Sequence, residues 1–199
     1  VGSEMCIRDS HTTSEVLFFS KDEKIPNPKI IRERQRDILY SVNSWNDELI
    51  IRTNLNALDF KICKSQHSDP GSWIDYIPAK KQTIIGGCTF LDKWMIRSEI
   101  KDALARIFVR NLKTEKEDEL LITDEVVISP SISLSQKDKN TDNIYIGYES
   151  PKTPSRTYLY NISTQEKKLV KEKTIPSGHN PDEYIAVSYT HLTLPTTVQ

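Results

Sequence analysis

One short pattern returns three times along this chain, and it narrows the possible folds more than any other feature. Asp47-Glu48-Leu49-Ile50-Ile51-Arg52-Thr53, Asp92-Lys93-Trp94-Met95-Ile96-Arg97-Ser98 and Asp142-Asn143-Ile144-Tyr145-Ile146-Gly147-Tyr148 share a form: Asp, a polar residue, then a strand-like run. The spacings are 45 and 50 residues. Each Asp follows an apolar strand, at Ile38 to Val42, Ile84 to Phe90 and Val126 to Leu134. A third strand follows near Phe60, Phe108 or Tyr158, and a fourth near Trp73 to Ile77, Leu120 to Ile122 or Leu169 to Val170. Four strands in each ~40–50 residues is the rhythm of a β-propeller blade. Asp suits the tight turn between the first two strands, because its short side chain can bond nearby backbone amides and tolerates turn dihedrals. The expected fold is all-β: a partial β-propeller with blades at about 38–79, 80–125 and 126–172, and outer strands of a fourth in 11–37. A solenoid or two-sheet sandwich fits the even rhythm less well. The best helix-like patch, Asp102-Ala103-Leu104-Ala105, is too short to stand alone.

The two ends read differently from the interior. Val1 to Asp9 resembles the in-frame translation of one arm of a transposon-based library adapter. Val187 to Thr196 resembles the translated reverse complement of the other arm. Residues 1–10 and 187–199 are therefore expected to lie outside the fold. That leaves 11–186 as an internal piece of a longer protein. Alone, such a piece leaves blade edges and apolar faces open and is expected to aggregate or be partly molten.

Charge and cysteine content exclude several classes. The chain has 27 Lys and Arg against 28 Asp and Glu, and setting aside Glu4, Arg8 and Asp9 makes the two signs equal. Such a balance gives no electrostatic reason to expect nucleic acid or an anionic membrane as partner. Of the 3 cysteines, Cys63 and Cys88 lie in the interior. Their spacing matches neither a zinc site nor a disulfide framework, so two reduced thiols in a bacterial cytoplasm are expected. No cofactor and no metal are expected. No run approaches the ~18 apolar residues of a membrane-spanning helix. A secretion leader ahead of this stretch stays open.

Several segments resemble a known family. Arg52-Thr53-Asn54 followed by Ala57-Leu58-Asp59-Phe60 resembles a segment of oligopeptidase B propellers, with Asp59 where Asn is usual. Tyr148-Glu149-Ser150-Pro151-Lys152-Thr153-Pro154 resembles the final blade of the prolyl oligopeptidase family. The elements after it come in the same order: Tyr158 to Asn161, Lys168 to Lys171, Ile175-Pro176 and Asp182 to Tyr184. Trp73-Ile74 and Phe90 to Trp94 also fall where the oligopeptidase B branch has similar residues. The resemblance implies a seven-bladed propeller capping an α/β-hydrolase domain, with a Ser-Asp-His triad that cleaves short peptides after Arg or Lys. It implies that the propeller's partners are its own hydrolase domain and short peptide substrates. A nucleophile elbow of the form G-x-S-x-G would lie downstream of Ala186. Here the adjacent glycines Gly86-Gly87 are followed by Cys88, so no residue of this chain is expected to be catalytic. The alternative is a stand-alone propeller that binds proteins without catalysis. The lack of Gly-His and Trp-Asp repeat signatures argues against a common scaffold propeller.

The remaining chemistry-bearing residues have plain readings. His67, in Gln66-His67-Ser68-Asp69-Pro70-Gly71-Ser72, is expected in a surface turn, and His179 in an exit loop. Asn161-Ile162-Ser163 fits a glycosylation sequon but reads as a hairpin lead-in. Lys167 to Lys173 alternates basic and apolar residues, as an outer strand with a solvated face does. Arg52 and Arg97 occupy matching blade positions, and a solvated or intrablade role is expected for them rather than one facing a second domain.

Overall fold

The computed structural model describes residues 3–9, 11–20, 24–25, 27–123, 130–134 and 139–187. It forms two compact units, residues 1–87 and 88–199.

In the first unit, β1 (Ser3–Asp9), β2 (Ser14–Ser20) and β3 (Lys29–Ile30) make a three-stranded antiparallel sheet. A four-stranded meander follows: β4 (Tyr40–Trp45), β5 (Glu48–Thr53), β6 (Lys61–Gln66) and β7 (Asp69–Ile77). Asn46 and Asp47 close the first hairpin, with Trp45 paired to Glu48. Asn46 takes φ +52°, the left-handed conformation that two-residue hairpins require at their first position. Alternation then sends Tyr40, Val42, Leu49 and Ile51 to one face. They bury against Val16 and Phe18 of the neighbouring sheet and against Ile31 just after it, with Cys63 and Trp73 beside them. The Tyr40 hydroxyl pins the seam: it accepts from Val16 N at 2.9 Å and donates to Arg32 O at 2.6 Å.

The second unit contains two further meanders. One comprises β8 (Thr83–Phe90), β9 (Trp94–Lys101), β10 (Leu104–Asn111) and β11 (Glu117–Glu119), and the division between units falls within β8. The other comprises β12 (Ser131–Ser133), β13 (Asn143–Tyr148), β14 (Arg156–Asn161) and β15 (Lys167–Glu172). Leu91, Ile96, Ile107, Val109, Leu120 and Ile122 pack on Ile144, Ile146, Tyr148 and Ile162 in one apolar cluster. Three four-stranded blades and the strands of a fourth are thus present, as the repeats imply.

Two expectations need correction. Ser3–Asp9, expected to lie outside the fold, runs as β1 along β2. Ladder bonds use backbone groups and need no particular side chain, so an open edge of β2 can template such pairing. Most of the other end segment, from residue 188 on, lies outside the described residues. The Asp102-Ala103-Leu104-Ala105 patch, read as too short for a helix, forms none: Asp102-Ala103 is a hairpin turn, with φ of 53° and 60° joining Lys101 to Leu104. The fourth strand of the middle blade is Glu117–Glu119, not Leu120 to Ile122. Leu120 N still donates to Ile107 O at 2.8 Å, and Leu120 and Ile122 fill the core. In the expected strand from Val126 to Leu134, residues 126–129 lie outside the described residues.

Candidate functional site

Among the described residues, no three or more His, Cys, Asp or Glu group to hold a metal ion. The polar groups that the fold organises are of three kinds: a charged ladder, a joint and a clamped loop.

The ladder lies on the middle blade of the second unit. Alternation turns Ile96, Ile107 and Val109 to the apolar cluster, and so turns Arg97, Glu99, Arg106, Phe108 and Arg110 to the opposite face. The register sets Arg97 across from Phe108, Glu99 across from Arg106, and Arg110 across from Glu117. Arg97 is 1% exposed and Glu99 is 2% exposed. The Arg97 guanidinium donates to Glu99 Oε1 through Nε at 2.9 Å and Nη2 at 2.7 Å. It also bonds both carboxylate oxygens of Glu117, with Nη2 to Oε1 at 2.8 Å. Its carbon lies 4.8 Å from the Phe108 ring centre. Burial opposes the charge on Arg97, yet the Glu117 and Glu99 carboxylates outweigh it and hold the guanidinium pKa above its ordinary value. Arg106 and Glu119 extend the row at 3.7 Å. Arg97 therefore serves within its own blade, as expected.

The joint is Asp142. Instead of bonding its own turn amides, as the sequence suggested, its carboxylate reaches side chains from both blades of the unit. Trp94 Nε1 donates to Oδ1 at 2.9 Å and the Ser163 hydroxyl to Oδ2 at 2.7 Å, while Lys93 Nζ lies 3.6 Å from Oδ1. The Trp94 and Ser163 donors hold the Asp142 carboxyl below the usual carboxylate range, against the opposing effect of burial.

Beside the joint stand two matching turns. Asn111 Oδ1 accepts from Lys113 N and Thr114 N, each at 3.0 Å, and Asn161 Oδ1 accepts from Thr164 N at 2.9 Å. Glu115 and Gln165 occupy the same left-handed step, at φ 59° and 61°. The Asn161 side-chain nitrogen donates to Asn143 Oδ1 at 2.9 Å, in keeping with a hairpin lead-in.

The clamped loop follows β5. The Arg52 guanidinium sits 3.6 Å from the Phe60 ring centre, and its Nε donates to Ile85 O at 2.7 Å. His67 sits in a turn with Ser68 between β6 and β7, its Nε2 3.1 Å from the Ser44 hydroxyl and its ring stacked on Phe18. The expected loop is shorter than it read, because Asp69 to Ser72 already belong to β7. His179 lies in the exit segment, with Nε2 2.6 Å from Lys152 O and its ring stacked on Tyr184. Burial pushes the Cys63 thiol up to about 11, reinforced by Asp75, so it is not a reactive thiolate at neutral pH.

Sequence reasoning missed Glu99, Glu117 and the twin turns. The twin turns left a signal, Asn-x-x-Thr recurring at 111 and 161, whereas charges two apart in a strand read alike on a solvated and a buried face.

The chain's likenesses to known proteins agree with this architecture. The profile of the prolyl oligopeptidase N-terminal beta-propeller domain matches residues 4–173. "Protease 2" of Moraxella lacunata is 27% identical over 176 residues, which is 88% of this chain and 25% of that protein. "Dipeptidyl aminopeptidase BI" of Pseudoxanthomonas mexicana is 26% identical over 159 residues, covering 78% of this chain and 21% of that protein. The chain thus spans a quarter or less of these curated relatives. Oligopeptidase B from Trypanosoma brucei, in a closed form with covalently bound antipain, superposes with a TM-score of 0.83 at 23% identity. That match covers 92% of this chain and 27% of the other. Oligopeptidase B from Leishmania major gives 0.76 at 16% identity, covering 88% of this chain and 26% of that one.

Proposed function

Because the chain belongs to the prolyl oligopeptidase family, as part of its N-terminal β-propeller, we propose that the complete protein is a serine oligopeptidase and that these blades gate its substrates. The observation that carries this reading is the profile match from residue 4 to 173, which fits the three four-stranded meanders. In the proposed enzyme a Ser-Asp-His triad lies on an α/β-hydrolase domain that follows Ala186 in the gene. The blades exclude folded proteins by size and admit short peptides. Closure of the two domains sequesters the reacting groups from water and completes the site. Cleavage after Arg or Lys is the preference proposed, supported by the likeness of residues 52–60 to the oligopeptidase B branch. The proposed compartment is the bacterial cytoplasm, and no nucleic acid or membrane is a proposed partner.

The test is to express the complete gene product and compare cleavage of short peptides with an internal Arg or Lys with cleavage of a folded protein carrying the same sequence on its surface. Fast cleavage of the peptides and none of the folded protein is expected. Equal cleavage of both, or of neither, would overturn the reading.

A further inference from the structure

The twin turns of the second unit are built alike, yet their asparagines differ in one respect. In the last blade Asn161 stands across the ladder from Asn143, and its side-chain nitrogen donates to Asn143 Oδ1. In the middle blade Asn111 stands across from Trp94. An indole has a donor and no acceptor, and the Trp94 donor is already engaged by Asp142 Oδ1. Asn111 uses its side-chain oxygen on the Lys113 and Thr114 amides, and its Nδ2 makes no hydrogen bond among the described residues.

Asn111 lines a cavity of about 250 Å³ between the two blades of this unit, walled by the Trp94 and Tyr160 rings. Its floor is apolar, for Val109, Leu120 and Ile162 belong to the shared cluster. Its rim is charged. Register sets Asp118 opposite Val109 and so on the same face, and Lys116 Nζ lies 3.2 Å from Asp118 Oδ2. That pair is exposed on both sides, at 75% and 60%. Such pairs contribute little to stability, so each member can exchange its partner at small cost. Glu119, the remaining charged residue of the lining, stands opposite Phe108 and turns its carboxylate to Arg106 in the ladder.

A wholly polar recess would hold water, and a wholly apolar one would admit any oily fragment. This recess joins an apolar floor to a few placed donors and a carboxylate, the pattern of a small-molecule site. Its size sets the class of ligand. Pockets for drug-sized molecules run roughly 300–1,000 Å³, and this one falls just below that range, too small for a folded partner or a long peptide. We infer that the cavity binds a free amino acid with an apolar side chain. That side chain rests on Val109, Leu120 and Ile162. The α-carboxylate accepts from Asn111 Nδ2 and Lys116 Nζ, and the α-ammonium donates to the Asp118 carboxylate. Both contacts are charge-assisted, which makes them stronger than neutral hydrogen bonds. The inference needs only the two blades of this unit and does not depend on the peptidase reading.

The test uses the complete gene product, with L-leucine as the probe and amide exchange of residues 110–117 as the readout. Leucine at about ten times its Kd should slow that exchange about ten-fold, because opening of the turn releases the ligand. N-acetyl-leucine amide, which keeps the side chain but carries neither charge, should give no protection. Asn111→Asp keeps an acceptor oxygen for the turn and removes the donor, and Asp118→Asn removes the partner of the ammonium. Each should weaken leucine binding about ten-fold. Exchange of β13 and β14 without ligand should not change in either variant. Leucine that leaves residues 110–117 unprotected would overturn the inference, as would equal protection by the uncharged amide. Variants that bind leucine as tightly as the unaltered protein would overturn it too, since the ligand would then lie elsewhere.

Discussion

The two faces of the β8–β11 sheet solve the same burial problem in opposite ways. One presents Ile96, Ile107 and Val109 to an apolar cluster shared with the β12–β15 sheet. The other presents Arg97, Glu99, Arg106, Arg110, Glu117 and Glu119, paired across strands and diagonals. The apolar face needs only shape and volume, so its stability is spread over many contacts. The ionic face needs every partner, because a buried charge is tolerated only when opposite charges and hydrogen bonds surround it. One face should degrade gradually under substitution, whereas the other should fail abruptly when one member is removed.

The largest expected effect is therefore Arg97→Met, which strands the buried Glu99 carboxylate and takes the partner from the quarter-exposed Glu117. It should cost about 3–5 kcal/mol of local stability, measured by amide exchange of β9 and β10 in the complete protein. Removing all three charges together, as Arg97→Met with Glu99→Leu and Glu117→Leu, should restore most of that loss. A triple variant as damaged as the single one would show that the ladder serves something other than mutual neutralisation. On the apolar face, Ile96→Ala should cost about 2–4 kcal/mol by the same readout, and adding Ile107→Ala should deepen the loss without any rescue.

The Asp142 joint tests the borderline between the two regimes, being half polar and set at the edge of the apolar cluster. Asp142→Asn should cost about 1.5–3 kcal/mol, as for a hydrogen-bonded charged acceptor. Its sign with pH follows from the depressed carboxyl. Its contribution is present above the unfolded carboxylate value of about 3.9 and is lost as pH falls through the lower folded value. Acid should thus weaken the seam between the two blades of the second unit. The change in Trp94 fluorescence that reports it, with Trp45 and Trp73 replaced by Phe, should vanish in the Asn variant. The smallest expected effect is Asn111→Ala, which removes two turn acceptors and should cost about 1 kcal/mol, with exchange rising only in residues 110–117.

The blade rhythm was legible because it is written locally. Asp47, Asp92 and Asp142 mark hairpins at regular spacing, and strand alternation sorts their neighbours without knowledge of the rest of the fold. The ladder was not legible for the opposite reason. Arg97 and Glu99, two apart in a strand, read the same on a solvated face as on a buried one, and Glu117, 20 residues from Arg97, decides between them. Asp142 misled in a similar way: a turn-forming Asp is expected to bond its own backbone, and Trp94, its partner, lies 48 residues away. Asp102-Ala103 read as helix-like on composition, but pairing of Lys101 with Leu104 overrode that weak preference. Phe60, at φ 67°, carried no signal of its own, since nothing in Asp59-Phe60 announces a left-handed backbone.

The most direct measurement is a long-read sequence of the parent gene across the junction at Ala186 and Val187. The predicted result is a frame that runs on into a hydrolase domain with a G-x-S-x-G elbow and, after it, the Asp and His of a triad. A genomic frame that continues into further blades, or stops, would contradict the peptidase reading and favour a propeller that binds without catalysis.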